Sequence, residues 1–215
     1  MDLRLIAVTT VAAAIVITGS AVAGSSTLST PGPALARSAL LRRTDVGRGW
    51  SSQPPPRHVP PLTCPQFSPR LHGVVETGAA GSPTFAQSSS GPFVSSVAYV
   101  YKTAAQGASV WGRVVTPGLL RCVAQSLVNG SGQGVRFTVD RKHLLTLASI
   151  ADRRRGYRII GTATSTYQQI GVYLDEVVLE RGRMLAALSF SSFSVAPARS
   201  LELRLARTVA QRLQP

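Results

Sequence analysis

The chain has little negative charge and almost no cysteine, histidine or lysine. Its 215 residues include 9 Asp and Glu against 23 Lys and Arg, so the net charge is +14. Charged residues make up only 15% of the chain, which excludes a highly charged disordered polymer, and 44% apolar residues suffice for one folded domain. The three histidines, His58, His72 and His143, show no metal-ligand spacing, so we expect no metal and no other cofactor.

A recognisable catalytic set is also missing. The sequence has no Gly-x-Ser-x-Gly motif, and its nearest approximation, residues 129–134, lies between a predicted helix and a predicted strand, where glycines serve a turn. Asp175 and Glu176 are adjacent on a predicted strand and therefore point to opposite faces, which is poor geometry for a cooperating acid and base. We expect a protein without enzymatic activity. The alternative is a hydrolase whose site is assembled from residues far apart in the sequence.

The N-terminal residues have the pattern of an export signal. Arg4 precedes an almost uncharged run that ends in Ala21-Val22-Ala23, so we predict a signal peptide over residues 1–23. An uncleaved anchor is the alternative, because the run is about as long as the roughly 20 residues that span a bilayer. Small residues at 24–33 then predict a flexible tether, and 34–215 is the exported domain.

The two cysteines, Cys64 and Cys122, would enter an oxidising compartment after export. A matched pair there is more often bridged than free, so we predict a disulfide between them. Two buried thiols are the alternative.

Hydrophobic periodicity predicts an α+β fold. Several strands follow one another with short links, which favours an antiparallel sheet, and helices before and after them are expected to flank it. The predicted strands are 93–101, 135–148, 156–165, 171–180 and 184–193, and the predicted helices are 34–43, 103–115, 119–128 and 198–213. The proline-rich stretch 51–63 excludes a regular element, and 77–92 is expected to be a loop or a weak edge strand.

Several packing motifs occur in an order that is familiar. They are the run 97–101, Ala104-Ala105, Trp111, Cys122, the turn Arg181-Gly182-Arg183, the stretch 205–213, and the opening segment 40–50, which ends in Gly49-Trp50. Over roughly residues 35–213 this series resembles the extracytoplasmic sensor-type domains of actinobacterial receptor serine/threonine kinases and their free-standing secreted relatives. The resemblance implies an antiparallel sheet flanked by helices, a ligand cleft outside the membrane and no catalytic residues. A photosystem-protein-P/Mog1-like sandwich has a similar element order and is the near alternative.

Two groups of side chains are candidates for binding. Arginines cluster at Arg153, Arg154, Arg155 and Arg158, near a predicted turn between strands, and could bind phosphates, sulfates or carboxylates. A solvated loop is the alternative reading of this cluster. Large aromatic side chains could line an apolar cleft or simply form the core, and the candidates are Trp50, Tyr99, Trp111 and Phe190.

The predicted location limits the partners. We expect an exported ligand-binding or sensor-like domain of the bacterial cell envelope with an unknown small ligand, or else a basic module that binds anionic envelope polymers or lipid headgroups. Nucleic acid fits the net charge but not export, and the sequence has no nucleic-acid recognition motif. Contact with the membrane is expected only through an uncleaved N-terminus.

Overall fold

A computed structural model describes residues 32–54, 64, 66–129 and 134–213. The strands are β1 (Ser51–Gln53), β2 (Glu76–Gly81), β3 (Thr84–Ala86), β4 (Phe93–Tyr101), β5 (Val135–Leu145), β6 (Arg153–Ser165), β7 (Gln169–Arg181) and β8 (Met184–Phe193). The helices are α1 (Gly32–Ala39), α2 (Arg43–Val46), α3 (Ala104–Val114), α4 (Pro117–Asn129) and α5 (Arg199–Arg212).

All eight strands belong to one antiparallel sheet. Its order is β1-β3-β4-β8-β7-β6-β5, and β2 pairs with the part of β4 that β3 leaves open. The three longest pairings, β5 with β6, β6 with β7 and β7 with β8, join strands that follow one another in the chain. The predicted α+β class with an antiparallel sheet is therefore confirmed.

Helices cover both faces of the sheet. On the face that we call the α5 face, α1, α2 and α5 pack against one apolar cluster that includes Val177 and Leu188. On the opposite face, the α4 face, α3 and α4 pack against a second cluster that includes Val178 and Leu185. The alternation of side chains along β7 and β8 thus supplies a separate core to each helical layer.

The closing helix follows directly from its sequence pattern. Leu205, Val209 and Leu213 are spaced by four residues, which places them on one side of a helix. All three are at most 1% exposed in the cluster of the α5 face, while Arg207 on the opposite side is exposed. The helix predicted over 198–213 is confirmed, and it packs on the sheet.

Glycine decides the geometry at two places. Gly182 has φ 56° in the turn between β7 and β8, a conformation that other residues rarely adopt, and the predicted hairpin is confirmed there. Gly32 and Gly78 let α1 lie directly on β2, because a Cβ on Gly32 would lie 2.1 Å from the carbonyl oxygen of Thr77. A Cβ on Gly78 would clash with the backbone of Gly32 in the same way.

Several predicted boundaries differ from the structure. The stretch 51–63 does contain a regular element, since β1 opens it, while 55–63 lies outside the described residues. The stretch 77–92 contains β3 and most of β2. Helix α1 begins at Gly32, so the predicted tether 24–33 overlaps it by two residues. These differences share one cause, because pairing with neighbouring strands and packing on the sheet override weak local patterns.

The predicted signal peptide, residues 1–23, lies outside the described residues. Among the helices that are described, none has the length and apolar character needed to cross a membrane.

Candidate functional site

A surface groove opens where the N-terminal end of α5 meets the edge of the sheet. Its volume is about 530 Å³, within the range of roughly 300–1,000 Å³ that is typical of small-molecule sites. The walls come from three parts of the chain, and we call this site the α5 groove. It is lined by Trp50, Gln87, Ser90, Gly91, Pro92, Ser192, Phe193, Val195, Ala196, Pro197, Ala198, Leu201 and Arg204.

Backbone hydrogen bonds fix the walls of the α5 groove. The amide of Phe193 donates to the carbonyl oxygen of Ser90 at 2.9 Å, and the Ser192 hydroxyl donates to the carbonyl oxygen of Val195 at 2.5 Å. The Phe193 ring also contacts the Phe93 ring edge to face, with centroids 5.8 Å apart. The loop after β8 is therefore held in place even though the Val195 side chain is 74% exposed.

The side chains that line the groove are mostly apolar, and one of them is a cation. Arg204 is the only charged residue among those that line it, and its Nη1 donates to the carbonyl oxygen of Asp45 at 2.6 Å. No aspartate, glutamate, histidine, lysine, cysteine or tyrosine is among the lining residues. The groove thus presents apolar side chains beside one positive charge, and none of its lining side chains is an ordinary general acid or base.

The four aromatic candidates do not form one cleft. Trp50 and Phe190 belong to the cluster on the α5 face, whereas Tyr99 and Trp111 belong to the cluster on the α4 face. Phe190 is fully buried and Tyr99 is 5% exposed, so both serve as core. Of the four, only Trp50 lines the α5 groove. Tyr99 and Trp111 lie on the other face of the sheet, and Phe190 is fully buried in the core of the α5 face.

The arginine run likewise divides between two faces. It opens strand β6 and does not lie in a turn, so Arg153 and Arg155 point to the α4 face and Arg154 to the α5 face. Arg153 donates to the carbonyl oxygen of Ala108, and Arg154 donates to that of Leu147. Arg153 and Arg155 are exposed on one face, while Arg154 is half-buried on the other, so the three do not form one cluster.

Arg158, the fourth arginine, sits in a buried ion network. Its guanidinium donates to both carboxylate oxygens of Asp175, at 2.7 and 2.5 Å, and to Glu202 Oε1 at 3.1 Å. Arg199 Nη1 donates to the other oxygen of Glu202. Both carboxylates are completely buried, so these charges are satisfied within the protein and are not available to an external anion.

Two effects oppose each other at Glu202. Burial and the neighbouring carboxylate of Asp175 raise the pKa of Glu202, while Arg199 lowers it, and the pKa stands at about 8. The network also supports the α5 groove, because Arg158 reaches the carbonyl oxygen of Pro197, a lining residue, at 3.5 Å. It fastens the first turn of α5 to β6 and β7.

The protein surface is strongly cationic. Among the described residues, fifteen arginines and lysines are exposed, but only two carboxylates, Asp140 and Asp152, are exposed. Most of the other carboxylates are used inside the fold, for example by the Asp45 pair with Arg212. The sequence gives the net charge, but only the structure reveals that so little negative charge remains outside.

The two cysteines form the predicted disulfide. Cys64 and Cys122 are bonded with their Cα atoms 5.6 Å apart, and Cys122 lies on α4. Within the described residues, no three side chains of the metal-ligating types form a group that could hold a metal ion.

Sequence reasoning did not point to Val195 or Arg204 as site residues. Each is an ordinary surface residue in its local pattern, and only the meeting of three distant segments makes them neighbours of Trp50. The local sequence around these two residues contains no signal that the segments meet.

Comparison with known proteins shows similarity to solved structures. No family model matches the sequence, and no curated protein matches it. Among solved structures, the extracellular domain of PknH from Mycobacterium tuberculosis is similar at a TM-score of 0.45 and 12% sequence identity, over 82% of this chain and 94% of that chain. At these values the likeness establishes neither a shared family nor a shared ligand.

Proposed function

We propose that this chain is a non-catalytic binding domain of the cell envelope, outside the cytoplasm, and that its α5 groove holds a small amphiphilic anion. The observation that carries the proposal is the groove itself, with its apolar walls and its one charged residue, Arg204. The cationic surface would draw an anion toward it. The disulfide between Cys64 and Cys122 supports an oxidising compartment.

The groove is tested with 8-anilino-1-naphthalenesulfonate, which joins an apolar ring system to a sulfonate. We expect Val195→Asp to weaken its binding at least tenfold, because the new carboxylate removes apolar contact and repels the sulfonate. The measurement is fluorescence titration of the folded chain. Dodecanoate should displace the probe, and dodecanol at equal concentration should not.

Val75→Asp is the matched control. Val75 is also an exposed valine, at 47%, but it precedes β2 and does not line the groove. Its variant should bind the probe as the natural protein does. Equal affinity of the two variants for the probe would contradict binding in the α5 groove.

A second function is favoured by the excess of exposed cations. The domain would adhere to anionic envelope polymers or lipid headgroups, with Arg153, Arg154 and Arg155 as the contact predicted from the sequence. Binding to vesicles that contain phosphatidylglycerol should fall steeply between 50 and 300 mM NaCl, because salt screens exposed charges. Replacing the three arginines by glutamine should lower the affinity several-fold.

The control for this experiment removes three exposed arginines elsewhere on the surface. They are Arg37, Arg70 and Arg207. A smaller loss of vesicle affinity in this control favours Arg153, Arg154 and Arg155 as the contact. Binding that does not depend on salt would contradict adhesion through charge.

A further inference from the structure

The carboxyl group of Glu176 is buried beneath α4 and has fewer hydrogen-bond partners than it can accept. Glu176 lies on the α4 face of β7 and is only 3% exposed. The Ser189 hydroxyl donates to its Oε1 at 2.5 Å. Its second oxygen, Oε2, is buried and has no hydrogen-bond partner among the described residues. Most buried polar atoms in proteins have a hydrogen-bond partner, so an unpartnered carboxyl oxygen is unusual.

Glu176 borders a small cavity. Its volume is about 10 Å³, which is room for a single water. Helix α4 covers it with aliphatic side chains, and β6 supplies Tyr157, so Glu176 is the only acid or cation among the lining residues. The lining residues are Leu119, Leu120, Val123, Tyr157, Ile159, Leu174 and Glu176.

The surroundings favour the neutral acid. Burial and the charge of Asp175 on the opposite face of the strand raise the pKa of Glu176, the hydrogen bond from Ser189 lowers it, and the net pKa is about 8. The groups that face Glu176 from the packed elements are Tyr157 from β6 and Ser189 from β8. From α4, only Leu119, Leu120 and Val123 face it.

We propose that Glu176 and this cavity form a pH-sensitive latch for α4. The neutral carboxyl shares the cavity with one water and lets the aliphatic face of α4 dock on the sheet. The ionised carboxylate draws more water between α4 and the sheet, and α4 is released together with the segment that the Cys122 disulfide ties to it. The latch is independent of the α5 groove, which lies on the other face of the sheet.

The direction of the pH dependence follows from proton linkage. The docked state holds a proton that the opened state, with an ordinary pKa near 4.5, releases. Docking is therefore strongest at low pH and weakens as the pH rises. The opening equilibrium of α4 should grow about tenfold per pH unit between roughly pH 5 and pH 8, and it should level off above the folded pKa.

The test is hydrogen exchange of the α4 amides in the full chain, from pH 5 to pH 9, after division by the intrinsic exchange rate. We expect protection to fall with pH in the natural protein and to stay flat in Glu176→Gln, which keeps the shape but cannot ionise. Asp140→Asn, which removes an exposed carboxylate, should behave like the natural protein. Equal pH dependence with and without Glu176, or none in either, would overturn the latch.

A second measurement needs no variant. Carbon-13 NMR of the Glu176 side-chain carboxyl in the natural protein should give a titration midpoint well above 6. A midpoint below 6 contradicts the proposal even if Glu176→Gln fails to fold, and Glu176→Leu is then the non-ionising variant for hydrogen exchange.

Discussion

We expect a chain with Cys64→Ser and Cys122→Ala to unfold with about 4 kcal/mol less free energy than the natural protein. The reason is the 58-residue separation of the two cysteines, whose bond restricts a long loop in the unfolded chain. For a domain of this size, such a loss lowers the melting temperature by about 10 °C. Alanine is chosen at Cys122 because that side chain is 3% exposed, and a buried hydroxyl would add a cost of its own.

The disulfide also matters locally, because the chain between Cys64 and β2 has little secondary structure of its own. Helix α3 holds this segment through side chains, with Arg113 donating to the carbonyl oxygen of Arg70 at 2.7 Å and Gln106 donating to that of Gly73 at 3.0 Å. The disulfide fastens its first residue. Without it, we expect amides of residues 66–72 to lose protection before those of β2.

Reduction of the natural protein provides the control, because it breaks the bond and changes no side-chain volume. Thermal unfolding followed by circular dichroism should show the same loss after reduction as in the double variant. A thiol assay that finds both cysteines free before reduction, or an unchanged melting temperature after it, would contradict the stabilising bridge.

The sequence alone predicts a strand or helix well where its hydrophobic residues follow a strong periodic pattern. Strand β4 is predicted over its full length, 93–101, since apolar and β-branched residues occupy both of its faces. Helix α5 is predicted by its four-residue repeat. In both cases the local preference and the tertiary environment agree, so the pattern is sufficient.

Strands β1, β2 and β3 illustrate the opposite case. The sequence of β2 is Glu-Thr-Gly-Ala-Ala-Gly, which has almost no strand preference, and it is extended because residues 97–101 of β4 supply its hydrogen bonds. Gly78 is needed there for the approach of α1 and not for a turn. The residues next to β2 in the sequence do not reveal its pairing with β4 or its contact with α1.

The candidate site was less predictable than the fold. A period of two along β6 is enough to separate Arg153 and Arg155 from Arg154, but only if the strand is known to begin at 153. The α5 groove depends on the relative placement of Trp50, the loop before β4 and the start of α5. Those contacts span more than 100 residues of sequence, so the groove appears only in three dimensions.

The second large effect concerns the buried ion network. We expect Arg158→Met to cost about 3–5 kcal/mol of unfolding free energy at pH 8, because it leaves the carboxyl groups of Asp175 and Glu202, both 0% exposed, without their shared cation. The comparison variant is Arg155→Met, an exposed arginine on the same strand, and its melting temperature should be unchanged.

The cost of Arg158→Met should depend on pH. Without the guanidinium, the pKa of Glu202 rises further above its value of about 8, so the penalty from this group is small at pH 7 and grows as the pH rises to 9. Urea unfolding at the two pH values measures this difference. An equal cost at both, or one no larger than that of Arg155→Met, would contradict the network.

A triple variant separates charge from packing at the same place. Arg158→Met combined with Asp175→Leu and Glu202→Leu removes both buried carboxyl groups and the cation that they share, and it leaves only the partly exposed Arg199. Apolar replacements of a buried ion cluster are often neutral or stabilising. We expect most of the lost stability to return and the pH dependence between 7 and 9 to shrink. Because Arg158 also reaches the carbonyl oxygen of Pro197, the triple variant should regain stability while its α5 groove binds the sulfonate probe less tightly than that of the natural protein.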